Sequence, residues 1–208
     1  MELGLRERKK EQTRQLLADT ARRLFTERGF ENVTVTEVAR AADVSEKTVF
    51  NYFPTKEDLF YNRLESFESE LLAAVRGRSP GESVLAAFMR FVSRPRGLLA
   101  EKDASEELRA ITTMIAESPA LLARERQIFE RYTASLAGVI AEETGAAVEA
   151  WIVSNALIGV HRALLNYVRR GVLAGRSNAA LARGVRAEAK QALALLEEGL
   201  AGFAVKRG

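Results

Sequence analysis

A chain of 208 residues with 31 Lys+Arg, 28 Asp+Glu and 47% hydrophobic residues has the length of one large domain or two small ones, and enough apolar content for a core. Its formal net charge of +3 makes too weak a field to argue for nucleic acid, so any such reading must rest on where particular side chains stand. The absence of cysteine excludes disulfides, thiolate zinc sites and a cysteine nucleophile, and a single histidine, His161, excludes multi-histidine metal sites.

The opening segment "MELGLRERKKEQTRQLL" has no apolar run of signal-peptide length, and the longest apolar stretch, "AWIVSNALIGV", is broken by Ser154 and Asn155. A cytoplasmic protein that does not engage a membrane is expected. Arg6, Arg8, Lys9 and Lys10 read either as a soluble tail or as a basic arm along phosphates. From Glu11 the apolar residues Leu17, Ala21, Leu24 and Phe25 recur at helical spacing, and Gly29 supplies a stop. "TVTE", Thr34 to Glu37, is a capping box for a short second helix carrying Val38, Ala39 and Ala42. Asp43 tolerates a left-handed turn, and Ser45 caps a third helix whose inner side holds Val49 and Phe53. Pro54 closes it, and "TKED" caps a fourth helix at Thr55, expected to run through Leu59, Phe60 and Leu64 to about Arg76. Two short helices joined by a tight turn and braced by a longer one describe a helix-turn-helix unit.

With Val49 and Phe53 inward, the third helix leaves Lys47, Thr48, Asn51 and Tyr52 on its outer side, paired one turn apart. Asn and Lys donate to base edges in a major groove, Thr offers a hydroxyl or a methyl, and Tyr reaches a phosphate oxygen. Lys56, in the first turn of the fourth helix, adds a charge beside backbone amides that favour an anion. Phe50 and Phe53 are expected in the core, against the first and fourth helices.

"RGRSPGES", Arg76 to Ser83, reads as a linker. Helices are expected at "VLAAFMRFV", about Ser105 to Ala116, Pro119 to Gly145 with Ser118 as cap, about Ala146 to Arg170, and Asn178 to Phe203. The fourth of these is apolar nearly all round and must bury more than one side. The last offers Leu181, Val185, Ala189, Leu193, Leu196, Leu200 and Phe203 as a long stripe, so two such helices from each of two chains would make a four-helix bundle. Phe88, Phe91, Met114, Phe129, Tyr132, Trp151, Asn155 and His161 are candidates to line a mostly apolar ligand cavity, with ordinary core as the simpler reading of each. Arg76, Arg78, Arg90, Arg94 and Arg96 form a basic cluster that solvated helix ends explain.

The run "TVTEVARAADVSEKTVFNYFPTKEDL" resembles the DNA-binding domain of the TetR family of bacterial transcriptional repressors, over about residues 10 to 64. The resemblance lies in the capped Thr before the second helix, the Val-Ser turn, the Thr-hydrophobic-aromatic run, the Tyr-Phe pair and the Lys-Glu-x-Leu opening of the fourth helix. It implies a dimer gripping a palindromic operator in double-stranded DNA. Base or phosphate contacts would fall at Thr36, Lys47, Thr48, Asn51 and Tyr52, and phosphate contacts at Thr34 and Lys56. Asp43 stands where the family usually has Gly, and Lys47 replaces a frequent Gly with a groove-facing cation.

The expected protein is therefore all-α, with a helix-turn-helix DNA-binding domain at 1–54 and a helical ligand-binding and dimerisation domain at 55–208, helix 55–76 being shared. Its expected role is a dimeric repressor released from DNA by a small, mostly apolar inducer, with no cofactor. The alternative is an activator or architectural DNA binder without an inducer. An all-helical enzyme is disfavoured, because the sequence has no Glu-x-x-His pair, Gly-rich phosphate loop or nucleophile motif.

Overall fold

Ten α-helices and one 3-10 turn occur among the described residues, which are 4–62, 64–101 and 104–199 of the computed structural model. None of those residues lies in a strand, in keeping with an all-α class. The chain divides into two units. The first contains the residues up to Phe67 together with Thr113–Glu125, and the second contains Glu68–Thr112 and the residues from Arg126 on.

The first unit begins with α1, Leu5–Arg28. It starts six residues before Glu11, because Arg, Glu and Lys are good helix formers and the Glu7 carboxylate accepts the Gly4 N–H at 3.2 Å. The basic residues Arg6, Arg8, Lys9 and Lys10 are thus exposed positions on a helix. Leu17, Ala21 and Phe25 form its buried stripe. The next helix, α2, Val35–Ala41, opens on the expected box: Thr34 Oγ1 accepts the Glu37 N–H, and Glu37 Oε2 accepts the Thr34 N–H at 2.8 Å. The Thr34 backbone bond, with Arg28 and the Thr34 hydroxyl, holds the Glu37 carboxyl down to about 2, so this cap keeps its charge across the working pH range.

A Schellman turn ends α2, with Val44 N–H bonded to Ala39 C=O at 3.0 Å and Asp43 N–H to Arg40 C=O at 3.2 Å. Asp43 sits there at φ 55°, where a glycine would cost nothing and most side chains strain. After it comes α3, Glu46–Tyr52, capped by Ser45 Oγ on the Thr48 N–H. The single fourth helix expected from Thr55 to Arg76 is instead two, α4, Lys56–Phe60, and α5, Leu64–Arg76. Local hydrogen bonding explains the break: Asn62 Nδ2 donates to the Leu59 carbonyl at 2.7 Å, taking an acceptor that a continuing helix would use.

The remainder of the first unit comes from far along the chain. Tyr61 is buried and donates its hydroxyl to the Leu121 carbonyl at 3.2 Å. Ser118 donates to the Glu31 carboxylate, and Arg124 makes a two-point contact with Asp58, Nε at 2.8 Å and Nη2 at 2.6 Å. The other oxygen of Asp58 caps α4 through the Thr55 N–H and hydroxyl. Phe25, Phe30 and Phe60 fill the interior, with ring centroids 5.2 to 6.1 Å apart.

In the second unit, α5 leads through the 76–83 linker to α6, Val84–Val92. The remaining helices are α7, Ser105–Glu117, α8, Pro119–Thr144, α9, Ala147–Leu173, and α10, Asn178–Glu198; the end of α7 and the start of α8 belong to the first unit. Val168, Val172, Leu181 and Val185 form a core between α9 and α10, and Leu99, Leu108 and Tyr167 pack on it. Tyr167 lies across Gly184, where a Cβ would fall 1.9 Å from its hydroxyl, and Arg176 holds that hydroxyl at 2.7 Å. The buried Asn178 donates to the carbonyls of Leu98 and Glu101. Leu193 and Leu196 are half-buried, while Leu200 and Phe203, expected in the last helix, lie outside the described residues. The side of α9 opposite the core is open, with Val148 70%, Ile152 65% and Trp151 49% exposed.

His161 of α9 stands edge-on to Phe129 of α8, 5.9 Å between centroids. Burial, with the nearby Arg169 charge, lowers its pKa to about 4, so the folded protein holds a neutral ring.

Two outcomes are expected. Asp43→Gly should leave stability within about 0.5 kcal/mol of wild type in urea unfolding, whereas Asp43→Val, forced to positive φ, should lose about 1–2 kcal/mol. Between pH 6.5 and 4 the unfolded chain protonates His161 and the folded chain does not. Stability is therefore full above pH 6.5 and falls as pH drops toward 4. Thermal melts across that window should show a shallower fall for His161→Gln than for wild type.

Candidate nucleic-acid interface

On α3, Val49 and Phe53 are buried, at 0% and 1% exposure, and these two side chains fix which way the helix faces. Arg14 of α1 closes its far end: Nη1 donates to the Tyr52 carbonyl at 3.2 Å, and the guanidinium lies 4.6 Å from the centre of the Phe53 ring. Lys47 and Asn51 are then exposed, and Thr48 and Tyr52 partly so. Thr48 shares a hydrogen bond with Ser45 Oγ at 2.8 Å, which ties its hydroxyl to the helix start. Thr36 donates from α2 to the Glu46 carboxylate on the first turn of α3, linking the two helices of the motif at their exposed edge. Thr34 is exposed, with its hydroxyl engaged in the α2 cap.

Lys56 is partly buried. Its ammonium donates to the Phe30 carbonyl at 2.8 Å and sits 4.1 Å from the Phe30 ring centre. An ammonium has three donors, so this anchor leaves two for a phosphate while fixing where the charge stands. All seven DNA-binding candidates lie in the first unit. Arg14 was missed by sequence reasoning, since an Arg within a charged helix gives no signal of a partner 38 residues away. Phe50 requires a correction: it is 46% exposed, not core. Val49 and Phe53 already occupy the inner side of a seven-residue helix, and Phe50 falls beside them with half its surface open.

The ligand-site candidates are dispersed. Phe88, Phe91, Phe129 and Tyr132 are buried in the second unit, and Phe129 meets Tyr132 edge-on at 6.2 Å. Trp151 is half exposed, Asn155 donates back to the Trp151 carbonyl at 2.8 Å, and Met114 belongs to the first unit. A cleft of about 170 Å³ between α8 and α9 includes Phe129 and Asn155, with Arg126, Glu130, Thr133 and Arg162 giving it a polar rim. That is below the ~300 Å³ at which small-molecule pockets usually begin. Ser154, fully buried on α9, has no partner for its hydroxyl among the described residues, and the sequence showed it only as an interruption in an apolar run. Of the basic cluster, Arg76, Arg78, Arg90 and Arg96 pair with Glu142, Glu143, Glu82 and Glu70.

The model of a family described as bacterial regulatory proteins, tetR family, matches residues 17–61, from the buried stripe of α1 to the end of α4. The HTH-type transcriptional regulator TcmR of Streptomyces glaucescens is 33% identical over 147 residues, 68% of this chain and 65% of that protein, so the chain matches just under two thirds of that relative's length. A TetR-family transcriptional regulator from Syntrophomonas wolfei superposes with a TM-score of 0.53 at 17% identity, covering 90% of this chain and 97% of that one. Another, from Mesorhizobium loti, gives 0.50 at 21% identity over 88% and 96%. At such identities the two structures speak for the fold. The family match falls on the segment that holds the Thr34 box and the Asp43 turn, the match to TcmR runs beyond that unit, and on this ground residues 17–61 of the chain are a domain of the TetR family of bacterial regulatory proteins.

Proposed function

We propose that the protein is a transcriptional regulator, a repressor that binds a palindromic operator as a homodimer through α3 of each subunit. The observation that carries this reading is the exposed face of α3, Lys47, Thr48 and Asn51, on a helix held by Val49, Phe53 and Arg14. A two-turn helix reads few base pairs, so useful specificity requires two of them on one site. Thr34, Thr36, Tyr52 and Lys56 are assigned to positioning on the backbone, with Thr36 also near the base edges. The exposed basic turn of α1 is placed along neighbouring phosphates.

Dimerisation is assigned to α9 and α10. Val148, Trp151 and Ile152 recur at i, i+3, i+4 on the open side of α9, and a second copy supplies the matching surface. Burying such side chains contributes about 1.5–3 kcal/mol each.

Release by a small molecule fits a family whose members include ligand-binding regulators, and the cleft between α8 and α9 offers a ligand the polar side chains of Thr133 and Asn155. The small, polar-rimmed cleft favours a second reading, a DNA binder that needs no inducer. Operator affinity measured with and without a compound shown to occupy the second unit separates the two, because a ligand that releases DNA must bind the free form better.

Binding to a duplex selected by the protein from a random pool, measured against scrambled DNA over a salt series, tests the main proposal; equal affinities would overturn it. Asn51→Ala should lose about 1–3 kcal/mol of discrimination. Lys56→Ala should weaken both duplexes alike and lower the salt slope by about one counterion. In sedimentation, Ile152→Glu should shift the protein toward monomer and weaken operator binding with it, leaving helix content by circular dichroism unchanged.

A further inference from the structure

Phe50 is the apolar exception on the exposed side of α3: it is 46% exposed, and Lys47 and Asn51 stand exposed on the same short helix. A phenyl ring has neither donor nor acceptor, so unlike Tyr52 it cannot be a phosphate ligand by hydrogen bonding. In a major groove the base edges offer hydrogen-bonding groups and one apolar feature, the 5-methyl of thymine. The neighbours of Phe50 are of the kind that such a contact requires. Asn51 is adjacent in sequence and Lys47 one turn back, and both are suited to base edges.

We infer that Phe50 is a specificity-determining residue that selects thymine in each half-site by packing its ring against the 5-methyl group. This rests on the DNA-binding reading and goes beyond it by naming the base and the atom read. The contact carries sequence information because cytosine has no methyl at that position, and removing the methyl leaves the ring against water.

The test uses full-length protein and the duplex it selects from a random-sequence pool, resynthesised with each thymine in turn replaced by uracil, which deletes only the methyl. Wild type should lose about 4-fold in affinity at one thymine per half-site, and ~16-fold when both are replaced. Phe50→Ala should bind the thymine duplex more weakly by a similar factor and show no thymine preference at that position, while Phe50→Leu should retain much of it. Because Phe50 is half exposed, both variants should fold, as circular dichroism will show. Uracil replacement on wild type tests the inference without any variant. A selected duplex indifferent to uracil at every position, or Phe50→Ala with the wild-type thymine preference, overturns this inference and leaves DNA binding intact. A pool that yields no enriched sequence overturns both.

Discussion

A helix of seven residues has no stability of its own, since nucleation fixes several residues for a single hydrogen bond and too few further bonds follow to offset that cost. The orientation of α3 is therefore a property of what it packs against. Val49 and Phe53, both almost wholly buried, set its rotation, and Arg14 fixes its C-terminal end by binding the Tyr52 carbonyl while lying on the Phe53 ring. Every statement about which residues face outward follows from this one set of contacts. Rotation of α3 by one position would bury a polar residue and expose Val49.

The helices around α3 are arranged by short side chains at their starts. Thr34, Ser45 and Thr55 each accept a backbone N–H three residues on, and Glu37 and Asp58 return the bond. Thr36 then joins α2 to Glu46 of α3, so that the turn containing Asp43 is held from both sides. The angle between α2 and α3 thus depends on local hydrogen bonds as much as on the core. Such bonds form without long-range contacts and can be in place early in folding.

That locality explains what was legible in the sequence. The capping boxes, the Asp43 turn, the inward pair on α3, the Ser118-Pro119 start and the 76–83 linker all involve residues within seven positions of one another, and each was readable. What required distant partners was not. The turn between α4 and α5 holds a buried Tyr61 that reaches residue 121, and the local Asn62 bond that ends α4 there has no capping pattern to announce it. Arg14 and Arg124 look like any surface cations until the carbonyl of Tyr52 and the carboxylate of Asp58 arrive. Phe50 was assigned inward because its residue type outweighed its place on a helix too short to bury three adjacent sectors. The ligand-site candidates were chosen by type as well, which is why Phe129 and Asn155 line one cleft while Met114 lies in the other unit.

The segment 113–125 has a consequence for how the protein is born. It supplies Leu121, Ser118 and Arg124 to Tyr61, Glu31 and Asp58, so the N-terminal unit is discontinuous in sequence. Chains emerge from the ribosome at about 5–20 residues per second, and N-terminal domains commonly fold first. Here a nascent chain that has just exposed the fourth helix still has an unpaired Asp58 and an uncovered Tyr61. It must wait several seconds for residues 113–125 to be made and to clear the exit tunnel. During that interval the exposed face of α3 exists on an unfinished scaffold, and completion of the unit is coupled to synthesis of more than half the chain.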